Sequence, residues 1–297
     1  MKLRFFFLLL ITMFAQLATA QNSRWGIFIG GGTTWYYGDM NDRLLTHRKL
    51  FSYHLTGGLI YKASSRIYIN GAFAMGKVVG ADSLAIQDFN LKRNLHYRND
   101  IWQATLKMEY RLLGYRNGNT RKVTPYVFGG VGYFHFNPIA ELNGNEIELQ
   151  PLGTEGQYTS GGDNPEPYKL YGFNFPVGIG VEFRVTRSLA ARVEVTNHFT
   201  LTDYFDDLSS DYADSTLLAA TPNGPLAVEM ASNLATGYPR EGFGRGDPKD
   251  NDSYAFLGVT LLWSPDIKGN GGGSGGYGKG AHRGGRKKKK ANCPAFD

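Results

Sequence analysis

Eight strand-like stretches follow one another along the chain, and the connectors between them alternate between long and short. The stretches are 24–37, 51–63, 66–78, 98–113, 124–137, 170–185, 187–205 and 253–264. Connectors 38–50, 79–97, 138–169 and 206–252 are long, whereas 64–65, 114–123 and 186 are shorter. An antiparallel sheet with such connectors gathers every long loop at one end. Outer-membrane β-barrels read this way, with turns in the periplasm and loops outside the cell. The expected fold is all-β: an eight-stranded antiparallel transmembrane barrel with a disordered C-terminal tail.

The facing of side chains supports this. In 98–113, Trp102, Ala104, Leu106, Met108, Tyr110 and Leu112 share one face, while Gln103, Thr105, Lys107, Glu109 and Arg111 share the other. Period two separates side chains onto opposite faces. A soluble sandwich also alternates, so aromatic spacing is the better discriminator. Trp25 and Trp35 lie on one face, ten residues apart. At ~3.3 Å per residue and a tilt of ~40° they are roughly 25 Å apart along the membrane normal, the height of a barrel's apolar band. Tyr53 with Tyr61, and Trp102 with Tyr110, bracket their strands similarly.

Lys2 and Arg4 precede the apolar run Phe5 to Phe14, and Ala18-Thr19-Ala20 offers a small-residue cleavage point. Residues 1–20 therefore read as an export signal, too short to span a bilayer as a helix. Residues 21–265 are the expected barrel and 266–297 a Gly/Lys-rich tail. No later stretch approaches ~18 uninterrupted apolar residues, which excludes helical spanning. The tail carries eight Lys or Arg against two Asp, a net +6 that equals the formal charge of the whole chain. Cys293 is the single cysteine, so no internal disulfide forms.

With apolar faces turned to lipid, Lys62, Lys107, Arg111, Arg184 and Arg192 face the lumen with Glu109, Glu182 and Glu194. Eight strands leave a bore that side chains fill. Opposite charges in that space must pair, because an unpaired buried charge costs several kcal/mol. A plugged lumen is expected rather than a conduit. Pro176 is expected to sit at a bulge, and the apolar stretch Tyr126 to Tyr133 leaves its own facing open.

Other features have plainer readings. Asp203, Asp206, Asp207, Asp211 and Asp214 offer oxygen atoms of the kind calcium takes, but without EF-hand spacing. Capped turns and solvated charge account for them, and no metal is expected. His54, His135 and His198 have no serine motif beside them, so packing or lumen hydrogen bonding is the expected role and no catalytic residue is assigned. Arg245-Gly-Asp247 matches an adhesion tripeptide that arises easily by chance. The Gly-rich, Lys-rich tail would suit RNA in a cytosolic protein, but export removes nucleic acid as a partner. Nothing calls for a cofactor or a small-molecule substrate.

Five segments resemble the PorG-like outer-membrane proteins of Bacteroidota, associated with the type IX secretion and gliding machinery. They are Gly38–Asn41, Arg93–Arg98, Thr124–Pro138, Leu149–Gln157 and Leu201–Leu208. The resemblance covers about 22–264. It implies a non-enzymatic eight-stranded barrel in contact with outer-membrane lipids and, on the periplasmic side, with a lipoprotein-containing secretion ring. Docking is then expected through the turn residues Arg116, Arg121 and Lys122 and through the tail residues Lys287, Lys288, Lys289, Lys290 and Cys293. A surface binder or adhesin using loops 138–169 and 206–252 is the alternative.

Overall fold

Alternating apolar and polar residues become the outer and inner walls of a ring. The computed structural model describes residues 24–40, 50–113, 122–159, 166–186, 188–234 and 236–265. Its strands are β1 (Trp25–Tyr37), β2 (Ser52–Lys62), β3 (Ile67–Ala81), β4 (His96–Arg111), β5 (Val123–His135), β6 (Pro138–Leu142), β7 (Asn145–Glu148), β8 (Tyr171–Arg184), β9 (Leu189–Thr200) and β10 (Ser253–Trp263). Antiparallel pairing runs β1-β2-β3-β4-β5-β8-β9-β10, and β10 returns to β1 along Ile27↔Trp263 to Tyr37↔Ser253. This is a closed eight-stranded barrel, with no free sheet edge in the ring. The assigned signal peptide 1–20 and tail 266–297 lie outside the described residues.

All eight expected strands are present, but the loops hold more structure than expected. The connector 138–169 contains the hairpin β6–β7, which pairs to the overhanging start of β4 through Arg98↔Ile139 and Asn99↔Pro138. Three short helices, α1 (Asp88–Arg93), α2 (Ser215–Ala219) and α3 (Gly224–Ala231), sit in the other loops. The stretch expected over 187–205 ends as a strand at Thr200. Pro176 does not mark a bulge: β8 keeps one register against β5 on either side, Gly129↔Val177 and Gly132↔Asn174. Because proline has no N–H to donate, pairing is simply interrupted between those positions.

The outward faces carry Ile29, Leu55, Phe73, Leu106, Val131, Ile179, Val195 and Val259, all exposed and distributed around the whole ring. Soluble monomers rarely show apolar patches above a few hundred Å². A continuous belt on every strand is a lipid-facing surface, so the barrel spans a membrane. Trp25 and Tyr61 form an aromatic contact at 4.8 Å at the end that bears the termini. Trp35, however, is not an exposed girdle ring. Although it has outward parity it is only 8% exposed and meets Phe51 edge-on at 6.0 Å.

β5 resolves its own ambiguity. Tyr126, Phe128 and Phe134 are buried inward, while Val127, Val131 and Tyr133 face out. The rings fit because β8 offers glycine opposite them. A Cβ on Gly178 would lie 2.5 Å from Phe128, and one on Gly180 2.4 Å from Tyr126. Such approaches are closer than packed carbons tolerate.

Candidate functional site: the paired lumen and the charged cap

Inward parity on β4, β8 and β9 brings the long ionic side chains together. Arg111 makes a bidentate pair with Glu182, at 2.8 and 2.5 Å. One level further in, Arg192 reaches Glu109 at 2.6 Å, Glu194 at 2.8 Å and the Tyr126 hydroxyl at 2.9 Å. Lys107 holds the other Glu194 oxygen at 3.2 Å, and Asn70 donates to Glu109 at 2.9 Å. Arginine suits these positions because its planar fork serves several oxygen atoms at once. Lys62 and Arg184, expected in the same network, stand at the turn end, half-buried. Above the ions, Gln103, Asn174 and Tyr254 bond to one another at 2.7–2.9 Å. Arg192, Glu109 and Phe134 are fully buried, so the lumen is filled by side chains.

His54 stacks on Phe256 at 4.2 Å, and His198 stacks on Tyr254 at 4.7 Å, both inside the barrel. His135 lies on the opposite wall face, stacked on Trp102 at 5.5 Å. The three histidines do not converge.

The described residues of the long loops form a cap over one mouth. Its base is apolar and includes Tyr36, Tyr97, Phe134, Phe136, Phe205, Leu208 and Leu218. Two buried arginines tie the loops together. The Arg93 guanidinium donates twice to Asp82 at 2.7 Å, to the Asp39 carbonyl at 3.2 Å, and to the Arg245 carbonyl. Arg245 donates to Glu155 at 2.9 Å, to Asp207 Oδ2 at 3.2 Å, to the Ala231 carbonyl at 3.1 Å and to the Asp207 carbonyl. Glu155 also accepts from the Ser209 and Ser210 amides at 3.0 Å. Thr154 and Tyr168 donate to the Asp207 carboxylate at 2.6 and 2.7 Å. Arg245 of the adhesion-like tripeptide is thus 2% exposed and committed inside the protein.

Sequence reading missed most of this cluster. Asp82, Glu155 and Asp252 had no local signal, since Arg245 and Glu155 are separated by 90 positions. The five aspartates near the seventh connector scatter instead of converging. Asp206 and Asp207 are buried in the cap, and Asp214 caps α2 by accepting from the Thr216 and Leu217 amides. Asp211 bridges to Gly244. Among the described residues, no three His, Cys, Asp or Glu gather as a metal site. Of the assigned docking residues, Lys122 is exposed at the turn end, whereas Arg116, Arg121, Lys287, Lys288, Lys289, Lys290 and Cys293 lie outside the described residues.

Beneath the cap one tyrosine hydroxyl lies between two buried carboxyl groups. The Tyr36 hydroxyl lies 2.6 Å from Asp206 Oδ2 and 2.5 Å from Asp252 Oδ1. One hydroxyl proton serves only one of those contacts, so a carboxyl proton must complete the other. Burial accordingly holds both Asp206 and Asp252 well above the usual carboxylate range. Burial also raises Asp39 to about 6 and Asp203 to about 8, with other carboxylates nearby adding to the shift. The folded cap therefore binds more protons than the unfolded loops between about pH 4 and 8. The stability contributed by these four carboxyl groups is fullest below the unfolded carboxylate range and declines as pH rises through 6 and then 8. Hydrogen exchange of 201–252, corrected for intrinsic rates, is expected to show greater protection at pH 5 than at pH 9. Asp203→Asn should remove much of the upper part of that decline; identical profiles would refute the assignment.

A family model described as "Domain of unknown function (DUF6089)" matches residues 3–219, more than half of the chain. The chain belongs to the DUF6089 family. In this DUF6089 protein the match takes in β1 to β9 and α2, and so most of the barrel and three of the four cap loops. No curated protein matches the chain in sequence. Among solved structures, Neisserial surface protein A is similar at 7% identity and a TM-score of 0.41, covering 81% of this chain and 97% of its own. Ail, the attachment invasion locus protein of Yersinia pestis, gives 10% and 0.34, covering 80% and 97%. Outer membrane protein W of E. coli gives 11% and 0.32, also covering 80% and 97%. At such scores they say nothing of residues or activity; the barrel rests on its own strand pairings.

Proposed function

We propose that this DUF6089 protein is a non-enzymatic outer-membrane barrel that anchors a type IX secretion and gliding assembly. In this reading its turns and tail dock a periplasmic, lipoprotein-containing ring, and its outer wall contacts outer-membrane lipids. An even number of strands puts both chain ends on one side, and the reading places that side in the periplasm. The observation that carries it is where the PorG-like segments go. Asp39, Arg93, Phe134 with Phe136, Glu155 and Asp206 with Asp207 come one set from each segment, and all are built into the cap or its base. Five short resemblances scattered by chance have no reason to meet in one cap. A filled lumen and locked loops favour anchoring over conduction.

The test is co-purification from native outer membranes, with and without residues 266–297. Recovering secretion-ring subunits with the intact chain is the expected result; recovering none in either form sinks the proposal. One observation favours the alternative of a surface-exposed binder. Phe243, Ile86 and Leu91 stand exposed on the cap, with Phe89 and Phe243 in contact at 5.8 Å. Replacing Phe243 and Leu91 by serine should leave secretion intact under the anchoring reading and abolish surface binding under the other.

A further inference from the structure

We infer that a cleft in the cap binds a small amine with an apolar body. The inference goes beyond the anchoring proposal and does not rest on it, since anchoring uses the opposite end of the barrel. The cleft has a volume of about 170 Å³ and lies where all four long loops meet. Met40 comes from the loop after β1, Leu95 from the loop before β4, Leu149 from the loop after β7 and Met230 from α3. All four are buried and belong to the apolar base of the cap. A ligand that touches them bridges every long loop at once.

Size and lining set the ligand's body. A cavity of about 150 Å³ holds one benzene ring, so this cleft takes an apolar body of about six to eight non-hydrogen atoms. Two of its walls are methionines, whose unbranched thioethers adapt to a ring or a chain. The base is fixed in place. Arg245 lines it, and its guanidinium is tied to Glu155 at 2.9 Å and to Asp207 at 3.2 Å. A site formed in advance loses less to ordering when it binds.

Charge sets the ligand's head. Glu141 on β6 and Glu229 on α3 line the same cleft, the first exposed and the second half-buried. Among the described residues, no ion pair or hydrogen bond occupies either carboxylate. The lining contains no lysine, and its one arginine, Arg245, is already shared between two other carboxylates. The Glu141 amide donates to His96 Nε2 at 3.3 Å, so that ring nitrogen is an acceptor and brings no positive charge. An anion in the cleft meets two like charges, and a neutral molecule gains apolar contact alone. An ammonium head over an apolar body is complementary to both parts.

Fluorine NMR tests this with three ligands of one shape: 4-fluorobenzylamine, 4-fluorobenzyl alcohol and 4-fluorobenzoate. Each is titrated against the full mature chain in dodecyl maltoside, with empty micelles as the blank. The amine should bind most tightly and the benzoate least, and added salt should weaken the amine alone. Glu141→Gln/Glu229→Gln should lower amine affinity by about five- to tenfold and leave the alcohol unchanged. Leu142→Trp should fill the cleft and block the amine and the alcohol; Ala140→Leu is the second filling variant should the first not fold. Hydrogen exchange should show the amine protecting 138–149 and 224–233 together, because a ligand held by several loops stabilises them all. Equal binding of the three ligands overturns the inference, and so does unchanged amine affinity in the Gln variant or in a folded filling variant. An equal loss of amine and alcohol in the Gln variant would give the two carboxylates a merely structural role and also overturns it. Tighter binding of a Gly-Lys-Gly peptide than of the amine would assign the cleft to a partner's lysine. Amine binding that arises only in Arg43→Ser/Arg48→Ser would assign it to the chain's own loop; either result overturns the inference.

Discussion

Replacing Arg245 by alanine is expected to release the cap while leaving the barrel folded. The guanidinium is 2% exposed and satisfies Glu155, Asp207 and the Ala231 carbonyl, which come from three separate parts of the loops. Its removal leaves two buried carboxylates without their shared cation, a change that costs about 3–5 kcal/mol. Asp207 also sits at a positive φ of 65°, a conformation that non-glycine residues avoid unless neighbouring contacts hold them. The loss therefore falls on backbone that is already strained. Limited proteolysis should cut within 201–252 many times faster than in the parent chain, while β-sheet circular dichroism is unchanged. Adding Glu155→Gln and Asp207→Asn should restore part of the protection. Wild-type resistance in Arg245→Ala would show that the apolar base alone holds the loops. The variant also separates the functional readings, since anchoring through the turn end survives a loosened cap and binding through the cap does not.

A loss of similar size, but of the barrel itself, is expected for Arg192→Met. Arg192 is fully buried and is the cation that Glu109 meets, at 2.6 Å; Lys107 remains for Glu194. Methionine fills much of the volume but supplies no donor, so Glu109 keeps only the Asn70 amide. A buried carboxylate in that state costs about 3–5 kcal/mol, a large share of the 5–15 kcal/mol by which domains are stable. Urea unfolding in detergent or lipid should shift to a clearly lower midpoint, with less refolded barrel recovered. The pair Arg192→Met/Glu109→Gln should regain most of the loss, because it removes the stranded charge. If the double variant is no better than the single, the lumen is held by packing against Phe28, Tyr126 and Phe128 rather than by charge balance.

The particular elements show why some of this was legible early. In β4 and β9, Lys107, Glu109, Arg111, Arg192 and Glu194 alternate with apolar residues, and a strand's period of two turns that alternation directly into lumen against lipid. The pairing partners follow because a narrow bore leaves a charged side chain nowhere else to go. Pro176 and Trp35 were misjudged for a shared reason: each looks special along its own strand, yet its fate depends on the neighbour across the ladder or the loop laid over it.

Local order along the chain thus determined the ring, its eight members, the end at which the long loops gather, and the sign of each wall. These follow from side-chain alternation and connector length, which are properties of short stretches. Only the tertiary structure decided that the loops close into a cap, that Arg93 and Arg245 tie it, and that one hydroxyl and two carboxyls share protons beneath it. Those contacts join residues as far apart as Tyr36 and Asp252. No local pattern encodes them, because the energy that selects them appears only when distant charges are buried together.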